Sequence, residues 1–207
     1  QQLYDVPVIA DSSYSVLNRR DFYVENALVN RGKGRNIGVD ITLERYLNKG
    51  LYYIMSESNF DTKYYGGDRN CHNTLYNRNF IVNVLGGKEW MVGRDRQNMF
   101  SVNFKITLQG GDRYAPVDEV ATLLDPDREV QYDETKAFSK QFSPMFITNF
   151  SVGYKINRKK VSHEFSIKSL NTTGCEEYYG HEYNFKTDKI KTIRGATSLP
   201  NVSYKLE

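Results

Sequence analysis

Phe100-Ser101-Val102-Asn103-Phe104-Lys105-Ile106-Thr107-Leu108-Gln109 alternates apolar and polar side chains without a break, and Gly110-Gly111 follows it. Successive side chains of an extended strand point to opposite faces, so Phe100, Val102, Phe104, Ile106 and Leu108 share one face. Two further stretches carry the same period. Ile37, Val39, Ile41 and Leu43 alternate with Gly38, Asp40, Thr42 and Glu44, and the turn residues Asn48-Lys49-Gly50 follow. Phe146, Thr148, Phe150, Val152, Tyr154 and Ile156 stand opposite Asn149, Ser151, Gly153 and Lys155. Helical spacing appears nowhere at comparable strength, and the chain reads as all-β.

The spacing predicts a rising strand from Gln1 to about Val6, then a long segment reaching Arg35. Strands are predicted over 36–47, 51–63, 76–92, 99–110, 144–156, 163–171 and 192–207, about eight in all. Several cover the 9–11 residues that a tilted membrane-crossing strand requires, against roughly 5–6 in a soluble sandwich. Connections alternate in length. Asn48–Gly50, Gly93–Asn98 and Asn157–Ser162 are short, whereas Thr62–Thr74, Asp112–Gln141 and Thr172–Lys191 are long and polar. Tight turns on one side and long loops on the other are expected of an outer-membrane barrel. A soluble β-sandwich also varies its loops, and that alternative stays open. Tyr52, Tyr53, Trp90, Tyr154 and Tyr204 fall near strand ends, where an interfacial girdle places aromatics, although aromatics favour strands in any setting.

Composition bounds the remaining choices. The 207 residues suit one domain, and Tyr 16 with Phe 11 argues against disorder despite a hydrophobic share of 39%. The net charge of +3 is too balanced to advertise a nucleic-acid partner. The longest strictly apolar run, Leu51 to Met55, falls far short of the roughly 20 residues of a spanning helix. Gln1-Gln2-Leu3-Tyr4 lacks the features of a targeting signal, as expected of a cytosolic chain or of a mature or cut piece of something longer.

No catalytic constellation emerges, and the chain is expected not to be an enzyme. Asp40 and Glu44 share a face but stand roughly 13 Å apart at strand rise, too far for a glycosidase pair. His72, His163 and His181 lack metal-protease spacing, and no serine elbow accompanies them. Gly32, Gly34 and Gly38 precede a strand rather than a helix and miss the dinucleotide spacing, so no cofactor is called for. Asp125-Pro126-Asp127 lacks the ligand ladder of a calcium loop and reads as a solvated turn. Arg94-Asp95-Arg96 and Arg158-Lys159-Lys160 read as solubilising turns, with acidic lipid headgroups as the functional alternative. Tyr64-Tyr65 and Tyr178-Tyr179 read as packed loop residues or as ligand-contacting ones.

The stretch Asn30-Arg31-Gly32-Lys33-Gly34-Arg35-Asn36-Ile37-Gly38-Val39-Asp40-Ile41-Thr42-Leu43-Glu44-Arg45 resembles the C-terminal barrel region of TonB-dependent outer-membrane receptors. The similarity is to the branch with a carboxypeptidase-regulatory-like N-terminal domain. It continues through Asn83–Trp90, Gly110–Asp118, Tyr132-Asp133-Glu134 with Ala137-Phe138, Gly153–Lys160 and the ending Leu199–Glu207. Ser169-Leu170-Asn171-Thr172-Thr173 departs from the family's Asn-Val-Thr-Asn without disturbing the strand pattern.

The resemblance implies that residues 1–207 form the C-terminal segment of a 22-strand barrel, without the plug. That barrel imports a bulky nutrient across a Gram-negative outer membrane on energy relayed by TonB. The implied partners are outer-membrane lipid, the remaining strands and plug of the same receptor, TonB through the absent N-terminal part, and a surface lipoprotein. A small stand-alone eight-stranded barrel or a soluble β-rich interaction module is the alternative. On this topology Phe104, Ile106, Phe150 and Val152 face lipid, Asn103, Lys105, Asn149 and Ser151 face the lumen, and Asp112–Gln141 folds over the mouth. Cys71 and Cys175 both fall on the long-loop side. A disulfide between them and two free thiols are equally open there, with a zinc site using His72 and His181 as a remote third option.

Overall fold

The computed structural model describes residues 1–19, 23 and 26–207. Its strands are β1 (Gln2–Ile9), β2 (Leu28–Asn48), β3 (Leu51–Tyr65), β4 (Cys71–Asn73), β5 (Phe80–Val92), β6 (Asn98–Gln109), β7 (Arg113–Tyr114), β8 (Lys140–Gln141), β9 (Met145–Asn157), β10 (Ser162–Leu170), β11 (Glu177–Asn184), β12 (Lys189–Gly195) and β13 (Leu199–Leu206). One short helix, α1 (Glu119–Leu124), lies between β7 and β8. The chain is all-β and its ladders are antiparallel.

Eight strands follow one another in a single sheet, β1-β2-β3-β5-β6-β9-β10-β13, and β4 adds to β3. The sheet is open: among the described residues β1 and β13 are its ends and do not pair with each other. β1 covers β2 only from Leu28 to Arg35, which leaves the outer edge of Ile37–Asn48 without a ladder partner among the described residues. β13 likewise pairs only with β10.

Register carries the alternation across the sheet. Ile106 stands opposite Val84 and Thr148, Phe104 opposite Gly86 and Phe150, Val102 opposite Lys88 and Val152, and Phe100 opposite Trp90 and Tyr154. Val152 continues to Ile167 and Val202, and Tyr154 to Phe165 and Tyr204. One face therefore collects apolar side chains from seven strands, Met55 of β3 standing between Leu43 and Val84, and many of them are exposed, with Ile37 58%, Val39 64%, Ile41 61% and Leu43 55% accessible.

The opposite face is polar and internally bonded. Tyr52 Oη donates to Asn103 Oδ1 at 2.7 Å, Asn103 Nδ2 donates to Ser151 Oγ at 3.3 Å, and Thr107 Oγ1 donates to Asn83 Oδ1 at 2.8 Å. The tandem Gly86-Gly87 permits both faces at once. A Cβ on Gly86 would stand 3.0 Å from the Phe104 ring, and one on Gly87 would stand 2.7 Å from the Tyr52 hydroxyl. The ring packs over one glycine and the phenol crosses the other.

The ends differ. Lys49-Gly50, Gly93–Gln97 and Arg158–Val161 close tight hairpins at one end. Lys49 and Gly50 both have positive φ, 50° and 76°, the mirror-image turn that matches strand twist. At the other end stand residues 10–19, 66–79, 110–144 and 171–198.

The strand boundaries need three corrections. β2 begins at Leu28 rather than at 36, within the long segment that precedes it, because β1 pairs there; residues 20–22 and 24–25 of that segment lie outside the described residues. β5 begins at Phe80 rather than at 76, because Asn77 is fully buried and its amide bonds Asp61 and Asn73 at 2.9 Å each. Residues 192–207 are not one strand. Lys189–Gly195 pairs with Glu177–Asn184 as a separate hairpin, and only Leu199–Leu206 joins the sheet.

Candidate functional site

The long connections converge on a cluster anchored by polar side chains at the sheet's end. Arg78 Nε donates to Asp112 at 2.7 Å and its Nη1 to Gln109 at 2.9 Å. Arg113 Nε donates to the Asn77 carbonyl and its Nη2 to Asn79 Oδ1, both at 2.7 Å. These bonds fix the start of the 110–144 excursion beside β5 and β6, and Gln141 Nε2 ties its far end there by donating to the Arg78 carbonyl at 3.3 Å. A second anchor is Tyr64, only 1% exposed, whose hydroxyl donates to the Ser13 carbonyl at 2.8 Å. Ser13 Oγ in turn donates to Glu134 at 3.0 Å, and Asn73 Nδ2 donates to the Phe138 carbonyl at 3.3 Å. Residues 10–19 and 110–144 are thereby held together over the end of β3.

On that base stands an aromatic stack. The Tyr114 and Phe142 rings lie 4.2 Å apart at 21°, and Phe142 continues onto Tyr178 of β11 at 4.7 Å and 5°. His181 sits against Tyr114 at 5.0 Å, Phe142 at 5.8 Å and Tyr132 at 6.0 Å. The β11–β12 hairpin is thus docked on the 110–144 excursion through ring faces. Beside the stack opens a cavity of about 350 Å³, lined among others by Asn18, Arg113, Tyr114, Tyr132, Glu134, Phe142 and Tyr178. Asn18 accepts from the Leu75 amide at 2.7 Å, while its buried Nδ2 has no protein partner. Ring faces, the Glu134 carboxylate and a spare amide donor give this cavity the chemistry to match a ligand that is part flat and part polar.

Burial holds the His181 imidazole below its ordinary pKa of 6.5, and the Tyr132 hydroxyl lies 3.4 Å from its Nδ1. A histidine whose pKa falls on docking takes up its proton more readily when undocked. Docking is therefore full above pH 6.5 and weakens as pH falls through the ordinary value toward the lowered one. Limited proteolysis at 177–195 is expected to quicken between pH 7 and pH 5 in the native chain. His181→Phe should flatten that dependence, and an unchanged slope in the variant would assign it to another group.

The structure places the sequence-predicted residues as follows. Asp112–Gln141 and Tyr178 form the cluster, and Tyr179 is exposed at its cavity. Tyr64 is a buried pin, and Tyr65 is exposed beside β4. His72 bonds Asp68 at 2.7 Å, and His163 bonds the Tyr204 hydroxyl at 2.8 Å on the sheet, so the three histidines serve three places. Among the described residues no three metal-ligating side chains converge. Cys71 opens β4 and is exposed, and Cys175 follows β10; both are free thiols in this structure. Asp40 and Glu44 fall in separate rows, opposite Ser58 and Ile54. Asp125 Oδ1 accepts from the backbone amides of Asp127 and Glu129 at 2.9 and 3.1 Å, closing a turn. Tyr114 and Tyr132 enter the sequence reading only through the family resemblance, and Asn18 and Phe142 not at all, because isolated residues in irregular chain carry no period.

No family model, curated protein or solved structure matches this chain.

Proposed function

We propose that this chain is the C-terminal part of the barrel wall of a TonB-dependent outer-membrane transporter, importing a bulky nutrient without bond chemistry. The observation that carries this reading is the band on the apolar face, closed at the tight-turn end by an aromatic row. Trp90, Phe100, Tyr154, Phe165 and Tyr204 are register neighbours on five consecutive sheet strands. Trp90 and Phe100 rings lie 5.6 Å apart, and Phe165 and Tyr204 rings 5.0 Å apart. Above that row β5, β6 and β9 carry mainly aliphatic and Phe side chains, while β3 sets Glu57, Asn59 and Asp61 beside Ile41, Val39 and Ile37, and the face behind is hydrogen-bonded and polar. An aromatic girdle, an apolar band and a polar interior are what a lipid-embedded barrel wall requires.

The open edges of β2 and β13 fit the same reading, because unpaired backbone is not tolerated in hydrocarbon and further strands must supply partners there. The partners are then outer-membrane lipid, those further strands with their plug, TonB, and a surface lipoprotein over the loop cluster. In this setting the aromatic cavity lies on the ligand side of the wall. A soluble interaction module would have to leave the same apolar band in water, a far larger patch than the few hundred Å² usual for a monomer.

Nitroxide labels test the facing. In phospholipid, a label at Phe104 is expected to be accessible to dissolved oxygen and shielded from a water-soluble nickel chelate, with the reverse at Lys105. Equal accessibility at both positions would sink the lipid-facing assignment.

A further inference from the structure

The apolar series of β2 does not end in solvent-neutral residues. Moving from Leu43, Ile41, Val39 and Ile37 toward the long-loop end, the same face next carries Arg35, Lys33 and Arg31. β3 sets Lys63 directly opposite Arg35. Interior demands do not explain these cations, because the inward positions between them are Gly32 and Gly34, buried against Val8 and Leu17. Asp61 is the carboxylate in contact, 3.3 Å from Lys63 and 3.8 Å from Arg35. Arg31 and Lys33 are exposed and form no ion pair among the described residues.

Like charges on alternate strand residues stand about 7 Å apart and repel unless a counter-charge is supplied. Beside them lies a recess of about 370 Å³, to which Tyr4, Lys33, Arg35, Lys63 and Tyr65 contribute.

We infer that this rim binds the phosphorylated headgroup of a lipid whose acyl chains lie along Ile37–Leu43. The inference rests on the lipid-facing reading of the apolar band. Guanidinium and ammonium groups grouped around a recess match phosphate oxygens, and the phenol of Tyr65 adds a neutral donor, while that of Tyr4 is spent on Gln2 at 2.7 Å. Basic residues immediately above an apolar band draw anionic headgroups, while a lipid without net charge gains nothing from them. The continuity of the cations with the apolar column singles out a lipid over a free anion, because one ligand then satisfies both.

The test is native mass spectrometry of the full chain in dodecylmaltoside with dioleoyl phosphatidic acid, dioleoyl phosphatidylcholine or inorganic phosphate. Phosphatidic acid is expected to be retained in preference to phosphatidylcholine and not to be displaced by millimolar phosphate. The K33Q/R35Q/K63Q variant should lose that retention about tenfold or more. R94Q/R96Q/K159Q, which removes cations from the tight-turn end, should keep it. Equal retention of the two lipids, equal loss in both variants, or displacement by phosphate alone would overturn the site. Matching amide exchange of β2 and β3 in variant and native chain separates lost binding from lost folding. If the labels at 104 and 105 show lipid asymmetry while phosphatidic acid is not preferred, this inference alone fails. If the labels show none, the underlying reading fails.

Discussion

Phe104→Arg is expected to destabilise the protein by about 2–4 kcal/mol in phospholipid vesicles, the range for a cation at the midplane on the lipid face of a barrel. Phe104 lies midway along the apolar positions of β6, between Phe100 and Leu108, and its cross-strand partners are Gly86 and Phe150. On the proposed lipid-facing reading, an arginine there meets hydrocarbon on its open side and finds no carboxylate in its row. Lys105→Ala, one residue on, should change stability by less than about 1 kcal/mol, because Lys105 is exposed on the polar face and bonds nothing among the described residues. Phe104→Leu keeps an apolar side chain and should cost under about 1.5 kcal/mol. Urea unfolding of the three variants in vesicles makes the measurement. A Phe104→Arg cost no greater than that of Lys105→Ala would mean that water, not lipid, bathes the face.

The asymmetry between neighbouring residues is what makes strand faces legible from sequence. Over Phe100–Gln109 every second residue is apolar, a register slip would invert the whole set, and the structure holds that register across β5, β6 and β9. Ile37–Leu43 and Phe146–Ile156 were readable for the same reason. Legibility failed where partners rather than period decide conformation. Leu28–Arg35 is strand because Gln2–Ile9 lies beside it, and its own pattern is basic and glycine-rich. Residues 192–195 belong to a loop hairpin because Glu177–Gly195 closes on itself around a turn in which Asn184 Oδ1 accepts from the amides of Lys186 and Thr187. Period two is present there as well, and nothing in it says which sheet a strand joins.

The candidate site was legible only as a region. Length and polarity mark Asp112–Gln141 as an excursion, but its internal order comes from contacts distant in sequence. Arg113 reaches Asn77 and Asn79, and Phe142 reaches Tyr178. The aromatic row at the tight-turn end was partly visible. Trp90, Tyr154 and Tyr204 were marked as girdle residues, whereas Tyr52 faces inward and donates to Asn103. An aromatic near a strand end serves either face, and only register separates the two uses.

Tyr64→Ala is expected to detach the loop cluster while leaving the sheet paired. Tyr64 closes the polar face of β3 opposite Gly34 and is almost wholly enclosed. Its ring lies 5.5 Å from His72 and 6.4 Å from Phe138, and its hydroxyl holds the Ser13 carbonyl. Truncating a buried aromatic costs about 3–5 kcal/mol through lost burial and the cavity left behind. That cost falls on the segments it joins, 10–19 and 134–138, rather than on ladders such as β5–β6 that it does not touch. Tyr64→Phe keeps the ring and removes one donor, leaving the Ser13 carbonyl without its partner at a cost of about 1–3 kcal/mol. Amide exchange is expected to rise sharply at Thr135–Ala137 in Tyr64→Ala and modestly in Tyr64→Phe, with β6 and β9 unchanged in both. Faster exchange in β6 to the same degree as in the loops would show that cluster and sheet unfold as one unit. In that case the loop cluster is part of the sheet's stability and not a separable cap over it.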